Sequence, residues 1–239
     1  MTFTKRNALV TGAGALGGLG HAVARILASG GAYVTVTGRD PQRGAQVVED
    51  LGTKARFLPA DLSDSEDVRR LAEEAGDVDV LVNNAAVLLG DTQDLSAFDD
   101  AFAVNVRAPF ALTTAVAPRM AANGGGSIVN ISSTAAGIGM PAMAVYGASK
   151  AALESLTRAW AVEFAAGNVR VNAVSPGPMR SAKAVASLGE DVGGYGETVP
   201  MARVADPAEV AEVVAFLASN RSSFTTGAVV AADGGRSAL

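Results

Sequence analysis

The stretch that decides the fold is Asn7-Ala8-Leu9-Val10-Thr11-Gly12-Ala13-Gly14-Ala15-Leu16-Gly17-Gly18-Leu19-Gly20-His21. Asn7–Thr11 is a short β-prone run, a helix opens near His21, and the turn between is rich in glycine. Glycines placed between a strand and a helix let the backbone approach a pyrophosphate at the positive helix N-terminus. Gly12, Gly14 and Gly17 satisfy G-x-G-x-x-G, a pattern that also describes a plain tight turn. Its place in the first strand-to-helix turn of the chain points to a bound dinucleotide.

Working outward, the next strand ends Val36-Thr37-Gly38-Arg39. A carboxylate at this end binds the ribose 2′-hydroxyl of NAD, whereas an arginine accommodates the 2′-phosphate of NADP. Gly38 stands in the carboxylate's place and Arg39 follows, which favours NADP(H), with NAD the alternative. Arg39 has a plainer reading as a surface residue paired with Asp40 or Glu49. Asp61, just past the third strand, is expected either to accept from the adenine amino group or to cap the next helix. Leu62 beside it belongs to the same expected contact.

The rest of the chain alternates in the same way. Strands are predicted at Asn7–Thr11, Tyr33–Thr37, Ala55–Leu58, Val80–Asn83, Ser127–Ser132, Val169–Ser175 and Ala228–Ala231. They are mostly unbroken apolar runs, as strands covered on both faces are. Helices between them start at recognisable caps. Asp40-Pro41 offers an N-cap with proline at the first helical position, and Ser63-Asp64-Ser65-Glu66 has capping-box spacing. Asp206-Pro207-Ala208-Glu209 repeats the theme before a helix to about Leu217. The pattern predicts one α/β domain over residues 1–239: a doubly wound, mostly parallel seven-stranded sheet with helices on both faces (a Rossmann fold). Gly177–Pro200, rich in Gly, Ala and Ser, reads as irregular.

Composition narrows the chemistry. The 239 residues include no cysteine, so disulfides, thiolate zinc sites and cysteine nucleophiles are excluded. The single histidine, His21, cannot build a histidine-rich metal site or a histidine triad, and no metal is expected. A net charge of −5 gives no basic footprint for nucleic acid. No apolar run approaches the ~20 residues of a membrane helix, and no signal-peptide core precedes the first strand. A soluble, cytoplasmic protein is therefore expected.

The second cluster of interest is Tyr146-Gly147-Ala148-Ser149-Lys150, at the start of a helical stretch ending near Phe164. Residues at i and i+4 share a helix face. A free tyrosine, with a pKa near ~10, is a poor base at neutral pH. A neighbouring ammonium and an oxidised nicotinamide both favour the phenolate, which lets tyrosine act as a general acid/base. Ser133 lies thirteen positions earlier, beyond Ile128–Ile131, at the carboxyl end of a strand, where such sheets bind ligands. Its hydroxyl suits a substrate carbonyl. Ser132 is its rival, and strand alternation sends the two to opposite faces. Asn105 sits in a helical stretch from about Ala97 to Ala122, four residues before Pro109. Proline lacks an N–H, so the Asn105 carbonyl is free either to hold a water linked to Lys150 or simply to mark a kink.

With these residues in view, the chain resembles the short-chain dehydrogenase/reductase family from about Asn7 to Gly235, in the flavour of 3-oxoacyl-thioester reductases. The likeness rests on the glycine-rich turn, Asn83-Asn84-Ala85-Ala86, Asn105, Ile131-Ser132-Ser133, Tyr146-x-x-x-Lys150, Asn172-Ala173-Val174-Ser175-Pro176-Gly177 and Ala232-Asp233-Gly234-Gly235, in that order. The resemblance implies a tetrad of Asn105, Ser133, Tyr146 and Lys150. Tyr146 is its acid/base, and Lys150 lowers the tyrosine pKa and binds the nicotinamide ribose. Ser133, by its family spacing to the tyrosine, takes precedence over Ser132 in polarising the substrate. The resemblance further implies cofactor contacts at Gly12, Gly14, Gly18, Leu19, Gly20, Arg39, Asp61, Leu62, Asn83, Ala85, Tyr146, Lys150, Pro176, Gly177 and Ser181. Asn83 is expected to steady its strand near the cofactor ribose. Pro176 and Gly177 border the nicotinamide, and Ser181 contacts its carboxamide.

Two departures stand out. The family turn reads T-G-x-x-x-G-x-G, and Gly12, Gly18 and Gly20 match it only if two residues are inserted. Ala86 replaces the usual glycine after Asn-Asn-Ala.

The expected reaction is hydride transfer between NADP(H) and a carbonyl or secondary alcohol. Alternatives are an NAD-dependent dehydrogenase of a secondary alcohol, sugar or dihydrodiol, and a non-catalytic dinucleotide sensor. Residues 178–200 are expected to cover the substrate, flexibly. Leu88, Leu89, Gly139, Met140, Met143 and Tyr195 are expected to wall an apolar pocket, with Arg180 and Lys183 available to an anionic group. A homotetramer, or a homodimer, built on the alanine-rich helices around Asn105 and Trp160, is the expected assembly.

Overall fold

Each predicted strand forms, within about a residue at either end. In the computed structural model, which describes residues 1–90 and 93–238, the strands are β1 (Asn7–Val10), β2 (Tyr33–Gly38), β3 (Ala55–Pro59), β4 (Val80–Asn83), β5 (Gly126–Ile131), β6 (Val169–Pro176) and β7 (Val229–Ala232). They make one sheet in the order β3-β2-β1-β4-β5-β6-β7, and every pairing is parallel rather than most of them. The direction of winding reverses between β1 and β4. That switch point opens a crevice at the carboxyl ends of the strands, where ligands bind in such sheets.

Strand alternation splits the core into two layers. Ala8, Val10, Val80, Val82 and Val129 face helices α1 (Leu19–Ser29) and α8 (Pro207–Ala218). Leu9, Leu81, Ile128 and Val171 face α3 (Ser65–Glu74), α5 (Ala108–Ala122) and α6 (Ala144–Phe164). The remaining helices are α2 (Pro41–Leu51), α4 (Leu95–Phe102) and α7 (Ala182–Leu188).

The caps behave as their chemistry requires, with one correction. Asp40 accepts from the amides of Gln42 and Arg43 ahead of α2, and Asp206 with Glu209 closes a capping box on α8. At α3 the cap is Asp64, not Ser63. The Ser63 amide and hydroxyl are both bonded to Asp61 Oδ1, which takes that serine out of the helix start.

The helical stretch holding Asn105 is not uniform. Between α4 and α5 lies a π-turn over Ala103–Arg107, where the Ala108 amide donates to the Ala103 carbonyl five residues back. Pro109, the second residue of α5, follows this turn directly and offers no N–H to the carbonyls of the preceding turn. A second correction concerns Gly177–Pro200. It is folded, carrying α7 and a 3-10 turn over Tyr195–Thr198, with Val192 and Val199 buried. Among the described residues, no helix is long and apolar enough to cross a membrane.

Candidate active site

At the phosphate end the site is built from backbone. Gly12 has φ +65°, and a Cβ there would lie 2.6 Å from the Ala85 Cα, so the turn presses directly on the segment leaving β4. Gly20 is equally confined: its Cβ would meet Asn84 Nδ2 at 2.5 Å. Asn84 in turn donates from Nδ2 to the carbonyls of Thr11 (2.8 Å) and Gly12 (3.2 Å). Thr11 Oγ1 accepts from the amides of Asn84 and Ala85. Thr11 and Asn84 therefore tie β1 to β4 beneath the turn. Both stand inside motifs quoted from the sequence, but neither was given a role there, because each looks like an ordinary polar residue at a strand end.

Gly18 is the N-cap of α1, with no side-chain cap and no acidic residue in the first turn. A Cβ on Gly18 would meet nothing within 4 Å. Free amides, an open face and a positive helix end fit a pyrophosphate. The Leu19 side chain lies in the core, so only its backbone borders the turn.

Gly14 lies against the end of β2, where a Cβ on Gly38 would sit 3.2 Å from the Gly14 Cα. The longer turn thus occupies the ground on which a carboxylate at position 38 would stand. Arg39 is exposed and makes no ion pair among the described residues, while the Asp40 carboxylate is engaged as a cap. Asp61 is held below the usual carboxylate range, first by the bonds from Ser63 and then by the nearby Arg39 charge. Its role as a cap of α3 falls to Asp64. The Leu62 side chain is buried in the core and reaches a ligand only through its backbone.

The Asn83 side chain turns into the core. Only 2% exposed, it donates to Asn130 Oδ1 at 2.8 Å, and Asn130 donates to Thr157 Oγ1 at 2.8 Å. The strand-steadying half of its expected role is present, but alternation turns its side chain away from the crevice. Ala85 sits against Gly12. Pro176 is buried at the end of β6, and Gly177 packs against Asp233 so tightly that a Cβ would lie 2.8 Å from its Cα. Ser181 caps α7, accepting from the Ala184 amide.

At the chemical end the site is built from side chains. Ser133 starts a short 3-10 turn over Thr134–Ala136. That turn rests on the start of α6, where a Cβ on Gly147 would lie 2.5 Å from the Ala135 carbonyl oxygen. This close approach brings Ser133 beside Tyr146, where the serine side chain favours the ionised phenol. Ser132 goes the other way and donates to Glu154 at 2.6 Å, as alternation requires. Lys150 is fully buried; its Nζ donates to the Ile131 carbonyl at 2.7 Å and lies 5.7 Å from the centre of the Tyr146 ring.

Asn105 joins the group through its side chain. Nδ2 donates to the Val87 carbonyl and to Ser149 Oγ, while Oδ1 accepts from the Val87 amide. Ser149 Oγ donates onward to the Tyr146 carbonyl at 2.7 Å. The π-turn, the segment after β4 and α6 are thereby locked together. Ser149 was not foreseen, although its place between Tyr146 and Lys150 was the available signal.

The electrostatics differ from the sequence expectation. Burial pushes the Tyr146 phenol up, and the nearby Ser133 side chain opposes this less strongly. Burial also lowers Lys150 from 10.5 to about 8. The sequence showed a cation near a phenol; the structure adds the desolvation of both. Of the pocket residues, Leu88 and Tyr195 are exposed, and Met143 is the N-cap of α6. Arg180 is paired with Glu190, so its charge is already answered. A separate cavity of about 310 Å³ between Pro178, Val199, Met201, α8 and the end of β7 shares no lining residue with Ser133, Tyr146 or Lys150.

Comparison with known proteins agrees with this geometry. The family profile described as enoyl-(acyl carrier protein) reductase matches residues 12–237. The cis-4-hydroxycyclohexanecarboxylate dehydrogenase of Sinomonas cyclohexanicum is 37% identical over 99% of this chain and 98% of its own. A solved short chain dehydrogenase/reductase family protein is 48% identical, covers all of both chains and superposes with a TM-score of 0.94. A candidate NAD(P)-dependent gluconate 5-dehydrogenase from Beutenbergia cavernae, solved with NADP at low occupancy, is 35% identical over 100% of this chain and 99% of its own, with a TM-score of 0.93.

Proposed function

The chain belongs to the short-chain dehydrogenase/reductase family of oxidoreductases, and from that premise we propose that it transfers hydride between NADP(H) and a carbonyl or secondary alcohol, with Tyr146 as general acid/base. The observation that carries this reading is the placement of the Ser133 and Tyr146 hydroxyls together beside buried Lys150, at the carboxyl end of β5.

When bound, the nicotinamide supplies or accepts the hydride. Ser133 and Tyr146 donate hydrogen bonds to the carbonyl oxygen, and Tyr146 gives its proton as the alkoxide develops. Its raised pKa keeps the phenol protonated at neutral pH, the state needed for reduction. For oxidation the phenol must ionise, and protonated Lys150 beside the ring favours that form. Ser149 and Asn105 hold the start of α6 against the segment after β4, fixing the tyrosine's position.

Two features favour NADP(H) over NAD(H): Gly38 is crowded by Gly14, and Arg39 is exposed and free of ion pairs among the described residues beside Asp61. Exposed apolar side chains on two faces favour a symmetric homotetramer: Leu95, Phe110 and Val162 on α4, α5 and α6, and Phe216 and Phe224 around α8. Trp160 is not part of such a face, being buried beside Phe110.

Tyr146→Phe tests the mechanism. It is expected to lower kcat by about three orders of magnitude over a panel of ketones and aldehydes, with NADPH affinity, read by fluorescence titration, within about threefold of wild type. Near-normal turnover in this variant would falsify the assignment.

A further inference from the structure

In the lengthened glycine-rich turn, Gly17 lies between the start of α1 and the start of α7. Gly17 has φ +73°, and a Cβ there would lie 2.9 Å from the Ala182 Cβ. Both of its main-chain polar groups are engaged. The carbonyl accepts from the Ala182 amide at 3.0 Å, and the amide donates to His21 Nδ1 at 3.4 Å. His21 is nearly buried, and its Nε2 lies 2.8 Å from Asp50 on α2. Accepting at Nδ1 places the imidazole proton on Nε2, where it is donated to Asp50. The chain's single histidine therefore braces the crest of the inserted turn from below.

Ala182 is the first residue of α7, directly after Ser181. Its amide is one of the donors a helix start leaves unpaired, and Gly17 supplies the acceptor. A seven-residue helix has little stability of its own, so outside bonds of this kind decide where it sits. Gly18, the next residue of the turn, keeps its open face toward the phosphate end.

We propose that Gly17 is a latch. The inserted turn, braced by His21 and Asp50, holds the start of α7 across the dinucleotide groove, so cofactor release requires the Gly17–Ala182 bond to open. Gly17, His21 and Ala182 are positioning residues that link the cofactor cradle to the substrate cover. The proposal rests on the reading that this groove takes a nicotinamide dinucleotide.

Ala182→Pro is the sharpest probe. Proline is well tolerated at the first position of a helix, and Ser181 already has the extended conformation (φ −78°, ψ 155°) that a following proline demands. The substitution removes the donor and leaves the bonds within α7 intact. His21→Leu removes the brace, and His21→Asn restores an acceptor in the place of Nδ1.

NADPH release from the full chain is followed by stopped-flow fluorescence, and hydrogen exchange is followed over residues 182–188 of the NADPH complex. Ala182→Pro and His21→Leu are each expected to speed release about three- to tenfold, the range for one neutral hydrogen bond, and to lower exchange protection in α7. His21→Asn is expected to recover most of both. If circular dichroism shows that Ala182→Pro does not fold, the two His21 variants decide the matter. Release and protection in the folded variants within twofold of a wild type that binds NADPH would overturn the latch alone. A wild type that binds neither NADPH nor NADH would overturn the cofactor reading, and the latch with it.

Discussion

The phosphate end and the chemical end meet at the same crevice but are made of different material. Around Gly12–Gly20 the open groups are main-chain amides, and side chains such as Asn84 and Thr11 act behind them. Around Ser133, Tyr146 and Lys150 the working groups are side chains, and the backbone acts behind them through the Ile131 carbonyl. A cradle made of backbone is sensitive to added volume and tolerant of side-chain chemistry. A cluster made of hydroxyls and an amine is sensitive to chemistry, and its burial opposes the charge it needs.

That contrast breaks most visibly at Lys150. Lys150→Met should lower kcat by about two to four orders of magnitude while stabilising the fold. The fall from 10.5 to about 8 corresponds to roughly 3 kcal/mol against the buried ammonium at neutral pH. Between those two values the unfolded chain binds more protons than the folded one, so wild-type stability should rise as pH increases from about 8 toward 10.5. The methionine variant should lose that slope. Urea denaturation across this range checks both statements, and a less stable methionine variant would contradict them.

The opposite pattern is expected at Gly12. Gly12→Ala adds one methyl to a residue at φ +65°, directly against Ala85. A loss of about 3 kcal/mol, roughly a 10 °C fall in Tm, should accompany a marked loss of NADPH affinity. Calorimetry and fluorescence titration measure the two. The smallest effect sharpens the comparison, because it belongs to a side chain, not a backbone group, expected to face the cofactor at the phosphate end. Arg39→Ala should weaken NADPH binding about tenfold, the scale of a charge-assisted bond to phosphate, and leave NADH binding unchanged. Equal loss for both cofactors would remove Arg39 from 2′-phosphate recognition.

The strands were legible in the sequence because a parallel sheet covered on both faces demands apolar runs, and Val80–Asn83 stands where the pattern put it. The grouping of Asn105, Ser133, Tyr146 and Lys150 was legible because their spacing survives in one dimension. What could not be read depends on contacts across the fold. Ser63 and Asp64 are both competent caps, and only the competing Asp61 bond decides between them. Asn83 and Asn84 look alike in sequence, yet alternation sends one into the core and the other under the glycine turn. The order of residues 178–200 arises from partners far along the chain, Gly17 among them. The proximity of Lys150 to Tyr146 was visible, whereas the desolvation of both groups was not.

The paired asparagines also bear on how the sheet assembles. Asn83 and Asn130 stand opposite each other in the β4–β5 pairing, and Thr157 anchors the second of them. Shifting either strand by one step would turn its asparagine to the opposite layer, away from the Asn83–Asn130–Thr157 chain of hydrogen bonds. A late-forming parallel sheet, whose strands are separated by long crossovers, has many misaligned options during folding. This short polar chain makes those options unfavourable, so the strands settle with the carboxyl ends of β4 and β5 level beside the crevice.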